Sequence, residues 1–337
     1  MPPTSLAELS VMRDGVLVPM LGDYNPVEHG VSVTILQDFL ECREQVKFRV
    51  NRVQSRADSL ALTFGGVGHD ILSFAHNEIR TGKLKKMPHR KKVVTWIEEA
   101  EHNWKKQHTA ASAKALQNLE LSCGFLEAVM PMYFDTHKDT LFAWEWLAVE
   151  DWFNVDYPIT LDDGTELSIE IKGKLDGLYK LAKYNYVFES KFKSRFDTGV
   201  MADTLELDLQ VLLYMYCIGA YYDIDIRGTT YNIVRRPGLR QGKKETFVAY
   251  IKRCVDDVKA RPDFYFVRIP MVYSKQKVNS FETVLDSLLK DFYLWSVGAI
   301  GDYKNPGACE KKWGTCSFLP ICSRGDWSGH VIKEKRR

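Results

Sequence analysis

Apolar residues recur at helical spacing from Ser32 onward, at Val33, Leu36, Phe39 and Leu40, with Ser32 or Thr34 placed to cap and Cys42 at the end. A second helix is predicted over about 58–80, interrupted near Phe64-Gly65-Gly66-Val67-Gly68. Long helical patterns then fill roughly 91–134, with Trp96, Ala100 and Trp104 on one face. The texture changes near residue 142. Trp144 to Val155 alternates like a strand, and Asp162-Asp163-Gly164 supplies a hairpin turn. Residues 166–180 and 185–193 read as two further strands, joined by a turn around Ala182–Asn185. An amphipathic helix is expected over 203–221, a strand over 226–234, a glycine- and lysine-rich loop over 236–244, and helices over 245–260 and 280–298. Residues 1–30 read as an irregular arm, and the tail from Gly301 is rich in Gly, Pro and Cys. Helices, a small sheet, then helices again predict an α/β chain with a mixed sheet.

Composition narrows this little. The 337 residues are 45% hydrophobic and 27% charged, as in a globular protein with a sizeable core. Lys and Arg number 46 against 44 Asp and Glu, so overall charge does not announce a nucleic-acid binder. Any phosphate-binding face must come from local segregation of charge. No apolar run is long enough for a transmembrane helix. Met1-Pro2-Pro3-Thr4-Ser5 lacks the charged and apolar regions of a signal peptide, which predicts a cytoplasmic protein with no membrane partner. Thiols stay reduced there, so the seven cysteines are expected to be free, buried or metal-bound.

The strongest chemical pattern lies in the middle. Asp176, in Gly173-Lys174-Leu175-Asp176, is followed thirteen residues later by Glu189-Ser190-Lys191. On a strand Glu189 and Lys191 project to the same side, with Phe188, Ser190 and Phe192 on the other. If the preceding strand pairs with this one, Asp176 comes to the same edge. Two carboxylates so close are unfavourable unless a cation sits between them, and oxygen ligands suit Mg²⁺ or Mn²⁺. The lysine could then orient and help deprotonate a water, or stabilise charge on phosphorus. The bland alternative is an exposed Glu-x-Lys ion pair, worth about 0–1 kcal/mol.

This region resembles the PD-(D/E)XK nuclease superfamily, within it the RecB-like branch, over about residues 69–214. The branch has a glycine and a metal-binding histidine on an upstream helix, matching Gly65 through His69. It has a glutamate before the first core strand, matching Glu150 in Val149-Glu150-Asp151-Trp152-Phe153, and a downstream Gln-x₃-Tyr, matching Gln210 and Tyr214. The resemblance implies a restriction-endonuclease-like α/β core, a small mixed sheet flanked by helices, with an N-terminal helical elaboration and a cysteine-rich C-terminal tail. It implies one nuclease domain over 31–337: a helical part to 140, a catalytic core over 141–235, helices to 300, and a closing segment from 301. Asp176, Glu189 and His69 become expected ligands of Mg²⁺ or Mn²⁺, with the Ser190 carbonyl a further one. Lys191 is expected to position the nucleophile. Gln210 and Tyr214, one helical turn apart, are expected to line the cleft. Glu150 is expected in a structural or supporting role. For each, an ordinary surface or packing role is the competitor: a capping histidine, a strand-edge carboxylate, a polar rim on a buried helix.

Cys309, Cys316 and Cys322 form C-x₆-C-x₅-C in the tail, a set lacking a fourth metal ligand, for which Cys42 is the candidate. Iron–sulfur members of the RecB-like branch, of AddB and CRISPR-associated type, hold a [4Fe–4S] cluster with one early cysteine and three late ones. Asp38-Phe39-Leu40-Glu41-Cys42-Arg43 resembles the first-ligand segment, and the final C-x₅-C also matches. The commoner spacing has C-x₂-C where this chain has C-x₆-C, so structural Zn²⁺ fits equally well by spacing alone. Buried free thiols are the third reading, and Cys123, Cys217 and Cys254 sit in apolar helical patterns as core residues.

Basic residues cluster at 80–92, at Arg235, Arg236, Arg240, Lys243 and Lys244, at Lys311-Lys312 and at Lys333-Glu334-Lys335-Arg336-Arg337. Such runs are most often solvated faces, yet here they flank the proposed cleft elements. The expected partner is DNA, single-stranded or at ends, bound with weak sequence specificity. The expected activity is exonucleolytic DNA hydrolysis in processing, repair or recombination. Two rivals are a non-catalytic DNA-binding or assembly subunit retaining the fold, and a metal-free scaffold. A helicase or recombinase partner is not legible in the residues.

Overall fold

The computed structural model describes residues 10–13, 16–19, 21–55, 59–109, 111–196, 199, 204–311 and 314–333. In chain order the elements are β1 (Ser10–Arg13), β2 (Val16–Pro19), α1 (Pro26–His29), β3 (Val31–Ser32), α2 (Val33–Glu41), α3 (Arg43–Val50), β4 (Val53–Ser55), α4 (Leu60–Arg80), α5 (Arg90–Gln107), α6 (Ala113–Thr136) and α7 (Lys138–Leu141). There follow β5 (Glu145–Thr160), β6 (Glu166–Leu181), β7 (Tyr184–Lys193), α8 (Leu209–Tyr222), β8 (Ile226–Arg235), α9 (Phe247–Ala260), α10 (Pro262–Tyr265), β9 (Phe266–Val272), α11 (Lys275–Ser296), β10 (Glu310–Lys311), β11 (Gly314–Thr315), α12 (Leu319–Arg324) and β12 (His330–Ile332). The chain falls into two compact units, one of residues 58–152 and 174–274, the other of residues up to 57, 153–173 and from 275 on.

In the first unit, Ser59 caps α4 by accepting the Leu62 N–H, and Asp208 caps α8 by accepting the Val211 N–H. Helices α4, α5 and α6 bury Phe64, Val67, Trp96, Ala100, Leu126 and Phe134 in one apolar cluster. The cluster also takes in Phe192 of β7 and Val234 of β8, so the helices rest on the sheet. Strand β7 pairs antiparallel with β6 and parallel with β8, and β8 pairs antiparallel with β9. This mixed sheet with flanking helices is the α/β core expected. Pro270 lies in β9, last in the strand order, where its missing N–H leaves no ladder bond unmade.

Several boundaries differ from the sequence reading: the strand from Glu145 runs on to Thr160, and the helix expected over 280–298 spans Lys275–Ser296. Helix α4 runs unbroken through Gly65, Gly66 and Gly68. Gly68 is needed for contact: a Cβ there would lie 2.3 Å from the Phe192 ring. The helix after β7 begins at Leu209 rather than 203, which itself lies outside the described residues.

In the second unit, Phe39 of α2 packs edge-on against Phe292 of α11 at 5.2 Å and lies beside Trp295 at 5.3 Å. A smaller cluster joins Phe48 and Val53 to Cys316, Phe318 and Ile321, and β12 pairs with β4. The arm expected to be irregular contains an antiparallel β1–β2 pair and the short α1. No described helix is long and apolar enough to cross a membrane.

Candidate active site

The β6–β7 ladder ends at Gly177 opposite Phe188. One residue further, the Ser190 N–H donates to Asp176 Oδ2 at 2.6 Å, so a side chain replaces the backbone acceptor where the ladder stops. Period-2 alternation sends Phe188 and Phe192 toward α4, where Phe188 meets His76 and Phe192 meets Phe64 and His69. Glu189 and Lys191 emerge on the other face. Lys191 Nζ lies 2.5 Å from Glu189 Oε1, and Glu189 is only 5% exposed. Gln210 of α8 closes the triangle: its Nε2 donates to Glu189 Oε1 at 2.8 Å and its Oε1 accepts from Lys191 at 3.2 Å. Tyr214, one turn on, donates from its hydroxyl to the Lys174 carbonyl at 3.1 Å.

His69 reaches the same place from α4. Its Nδ1 is 3.4 Å from Asp176 Oδ1 and 3.7 Å from Glu150 Oε1. Glu150 gets there by a break in β5. Its φ is +50°, the left-handed region that L residues other than Asn and Asp rarely adopt. The burial alternation of β5 slips at Ala148 and Val149, both buried, and the slip re-aims Glu150. Such strain, of order 1–3 kcal/mol, persists where surrounding structure enforces it and clusters at functional sites.

His69, Glu150 and Asp176 each offer a ligand atom, and these atoms lie within 4.8 Å of one another. Among the described residues this is the only such group of three. On sequence grounds Glu150 stood outside the metal set; the structure brings it in. Glu189 and Ser190, expected as ligands, lie outside this group, though Ser190 touches Asp176 and Glu189 pairs with Lys191. The nitrogen-and-carboxylate donor set suits a divalent ion such as Mn²⁺ or Mg²⁺.

The electrostatics show why a cation would be welcome. Burial and the Asp176 charge push the Glu189 carboxyl up to about 7, against the opposing pull of Lys191. Asp176 itself is also disfavoured by burial, but His69 and the Ser190 N–H outweigh that and hold it below the usual carboxylate range. Burial works against charge on His69 too, yet Asp176 and Glu150 override it and raise its pKa to about 10. Lys191 is raised despite burial, chiefly by Glu189, and is firmly cationic. Crowded carboxylates that borrow protons from neighbours are relieved by a divalent cation.

Two supporting residues were not singled out from the sequence. Lys174 Nζ lies 2.5 Å from Glu150 Oε2. Asn232 of β8, fully buried, donates to Ser190 Oγ at 3.2 Å and accepts from Tyr133 and Arg268 at 3.1 Å each. Lys174 stands two residues before Asp176, so strand alternation could have put it on the same face. Nothing local marks Asn232.

Cys42, Cys309, Cys316 and Cys322 carry thiols, not disulfides, and all belong to the second unit. Cys42 Sγ accepts the Asn305 N–H at 3.4 Å, and the Cys316 N–H donates to the Cys309 carbonyl at 2.9 Å. Cys316 and Cys322 join the Phe48 cluster, where burial pushes the Cys322 thiol up to about 12. No three of the four sulfurs come within 4.8 Å of one another. Cys123, Cys217 and Cys254 are buried in helices, as expected of core residues.

A family model of the PD-(D/E)XK nuclease superfamily matches residues 30–323. No curated protein is found to match the chain. Similar solved structures include a protein of Eubacterium rectale described as a candidate exonuclease, 10% identical, with a TM-score of 0.47 over 88% of this chain and 94% of that one. Another is SSO0001, 12% identical, with a TM-score of 0.29 over 74% of this chain and 95% of that one.

Proposed function

Because the chain belongs to the PD-(D/E)XK nuclease superfamily, we propose that it is a divalent-metal-dependent deoxyribonuclease that trims DNA single strands or ends. One observation carries the reading. Three ligand atoms from His69, Glu150 and Asp176 converge within 4.8 Å, in a site where Ser190 ties Asp176 to the buried Glu189–Lys191 pair. Hydrolysis joins the oxygen of a water to phosphorus and breaks one P–O ester bond, whose departing oxygen takes a proton. His69, Glu150 and Asp176 would hold a divalent ion, which would supply Lewis-acid charge. Lys191, cationic and held by Glu189 and Gln210, orients the water and faces the charge that builds on phosphorus. Gln210 keeps the lysine in place, and Tyr214 anchors the strand that carries Asp176.

The DNA is expected along exposed basic surface, with Lys83, Lys85, Lys86, Arg90 and Lys91 near one end of α5 and Arg240, Lys243 and Lys244 after β8. Lys312 and residues 334–337 lie outside the described residues. The Cys42, Cys309, Cys316 and Cys322 set is assigned a [4Fe–4S] cluster, with structural Zn²⁺ as the alternative.

The test compares wild type with Lys191→Ala on end-labelled single- and double-stranded DNA in Mn²⁺. Wild type should release short products, and the variant should lose about 10²-fold or more in rate with its fold intact by circular dichroism. Equal degradation by both proteins, or DNA binding by wild type with no cleavage, would sink the assignment.

A further inference from the structure

Each of three carboxylates in the candidate site has a cation close by, and Glu150 has a second one in His69 at 3.7 Å. Asp176 faces His69 at 3.4 Å, Glu189 faces Lys191 at 2.5 Å, and Glu150 faces Lys174 at 2.5 Å. The three cations are not equivalent. His69 is itself a potential ligand, and Lys191 is held a second time by Gln210. Lys174 pairs with Glu150 and lies close enough to Asp70 to act on its charge, and its side chain is 40% exposed. Its main chain, by contrast, is fixed, because the buried Tyr214 donates to its carbonyl.

Lys174 therefore combines an anchored backbone with a partly exposed ammonium, resting on a carboxylate that belongs to the three-ligand group. Lys174 rests on Glu150 Oε2 while Oε1 faces His69, so an ion arriving there brings a second positive charge to one carboxylate, and the two cations repel. With the ion held, the grip of Glu150 on Lys174 weakens, and its four-carbon stem can carry the charge outward. Lys174 and Asp176 are two residues apart on β6, hence on one face, so the freed ammonium stays beside the reacting phosphate.

Resting on the nuclease reading, we propose that Lys174 is a displaceable cation. It neutralises Glu150 while no divalent ion is held, and contacts a backbone phosphate of the bound DNA strand once one is. It is a positioning residue for substrate, and the exchange couples metal loading to DNA binding. Lysine suits this use, being a compact point charge on a flexible stem.

The two halves of the proposal predict effects of opposite sign from one substitution. In Lys174→Met, Mn²⁺ titrated calorimetrically without DNA should bind about fivefold tighter, because a competing positive charge is gone. The same variant should bind a fluorescent oligonucleotide more weakly in Ca²⁺, and the slope of log K against log salt should shrink by about 0.7 for a single strand or 0.9 for a duplex. Lys174→Arg should restore the salt slope. Asp176→Asn, which should abolish Mn²⁺ binding, locates the titrated site. Mn²⁺ affinity that is unchanged or weaker in Lys174→Met overturns the proposal, as does an unchanged salt slope, even if wild type binds metal and cleaves DNA. A wild type that neither binds Mn²⁺ nor cleaves fails earlier and takes the nuclease reading with it.

Discussion

His76 and His137 are held neutral inside the first unit. His76 stacks on Trp146 at a centroid distance of 3.8 Å, and burial, aided by the Arg268 charge, drives its pKa well below 6.5. The same two causes push His137 down to about 3. Neither Nε2 has a hydrogen-bond partner. An unfolded chain takes up these protons near pH 6.5, whereas the native one resists until the pH is far lower. Native stability is thus complete above about pH 6.5 and falls as pH drops toward 3. His76→Phe retains a ring against Trp146 and cannot titrate, so its melting temperature should fall less steeply between pH 6.5 and 4 than that of wild type, read by thermal denaturation. Equal slopes would show that His76 is not buried neutral. At this scale the sequence displayed the histidines but not their roles. His69 drew attention beside a glycine cluster, while Glu150 became a potential ligand only through a φ of +50°.

Glycines in α4 show how an element is written for its neighbour. Gly66 has nothing within 4 Å of where its Cβ would be, whereas a Cβ on Gly68 would strike Phe192. Phe192 cannot easily retreat, being 9% exposed and lodged against Phe64 at 5.6 Å. Gly68→Ala should destabilise by about 1–3 kcal/mol through overpacking, and it should also push His69 off the sheet and weaken Mn²⁺ binding. Gly66→Ala should instead gain up to about 1 kcal/mol from helix propensity. Denaturant titration of both variants checks the contrast, and a stabilised Gly68→Ala would refute the contact. Propensity alone suggested a broken helix here; tertiary contact explains why the glycines are present and the helix is not broken. Strand β9 escaped the sequence reading for a related reason. Its Arg268 and Pro270 spoil the apolar run, and only an end position in the sheet tolerates the proline.

Across the whole molecule, the candidate active site and the four-cysteine set lie in different units, each built from segments distant in sequence. The cysteine assignment predicts a brown protein after anaerobic purification, with a broad absorption near 400 nm that is lost on exposure to a chelator and oxidant. Elemental analysis should find iron rather than zinc. A colourless, zinc-rich sample would favour the alternative, and a metal-free one would return the cysteines to ordinary thiols.

What the sequence determined by itself was local or periodic. Alternation placed Glu189 and Lys191 on one face, the helical turn joined Gln210 to Tyr214, and the order of patterns announced a mixed α/β core. These follow from backbone geometry, which repeats every few residues. The tertiary structure decided which groups meet across long stretches of chain. It drew Glu150 to His69 through a positive φ in β5, set Lys174 on Glu150, and ran Asn232 beneath Ser190. Those contacts depend on how one strand bends and how one helix is allowed to approach, and such distances have no period to read.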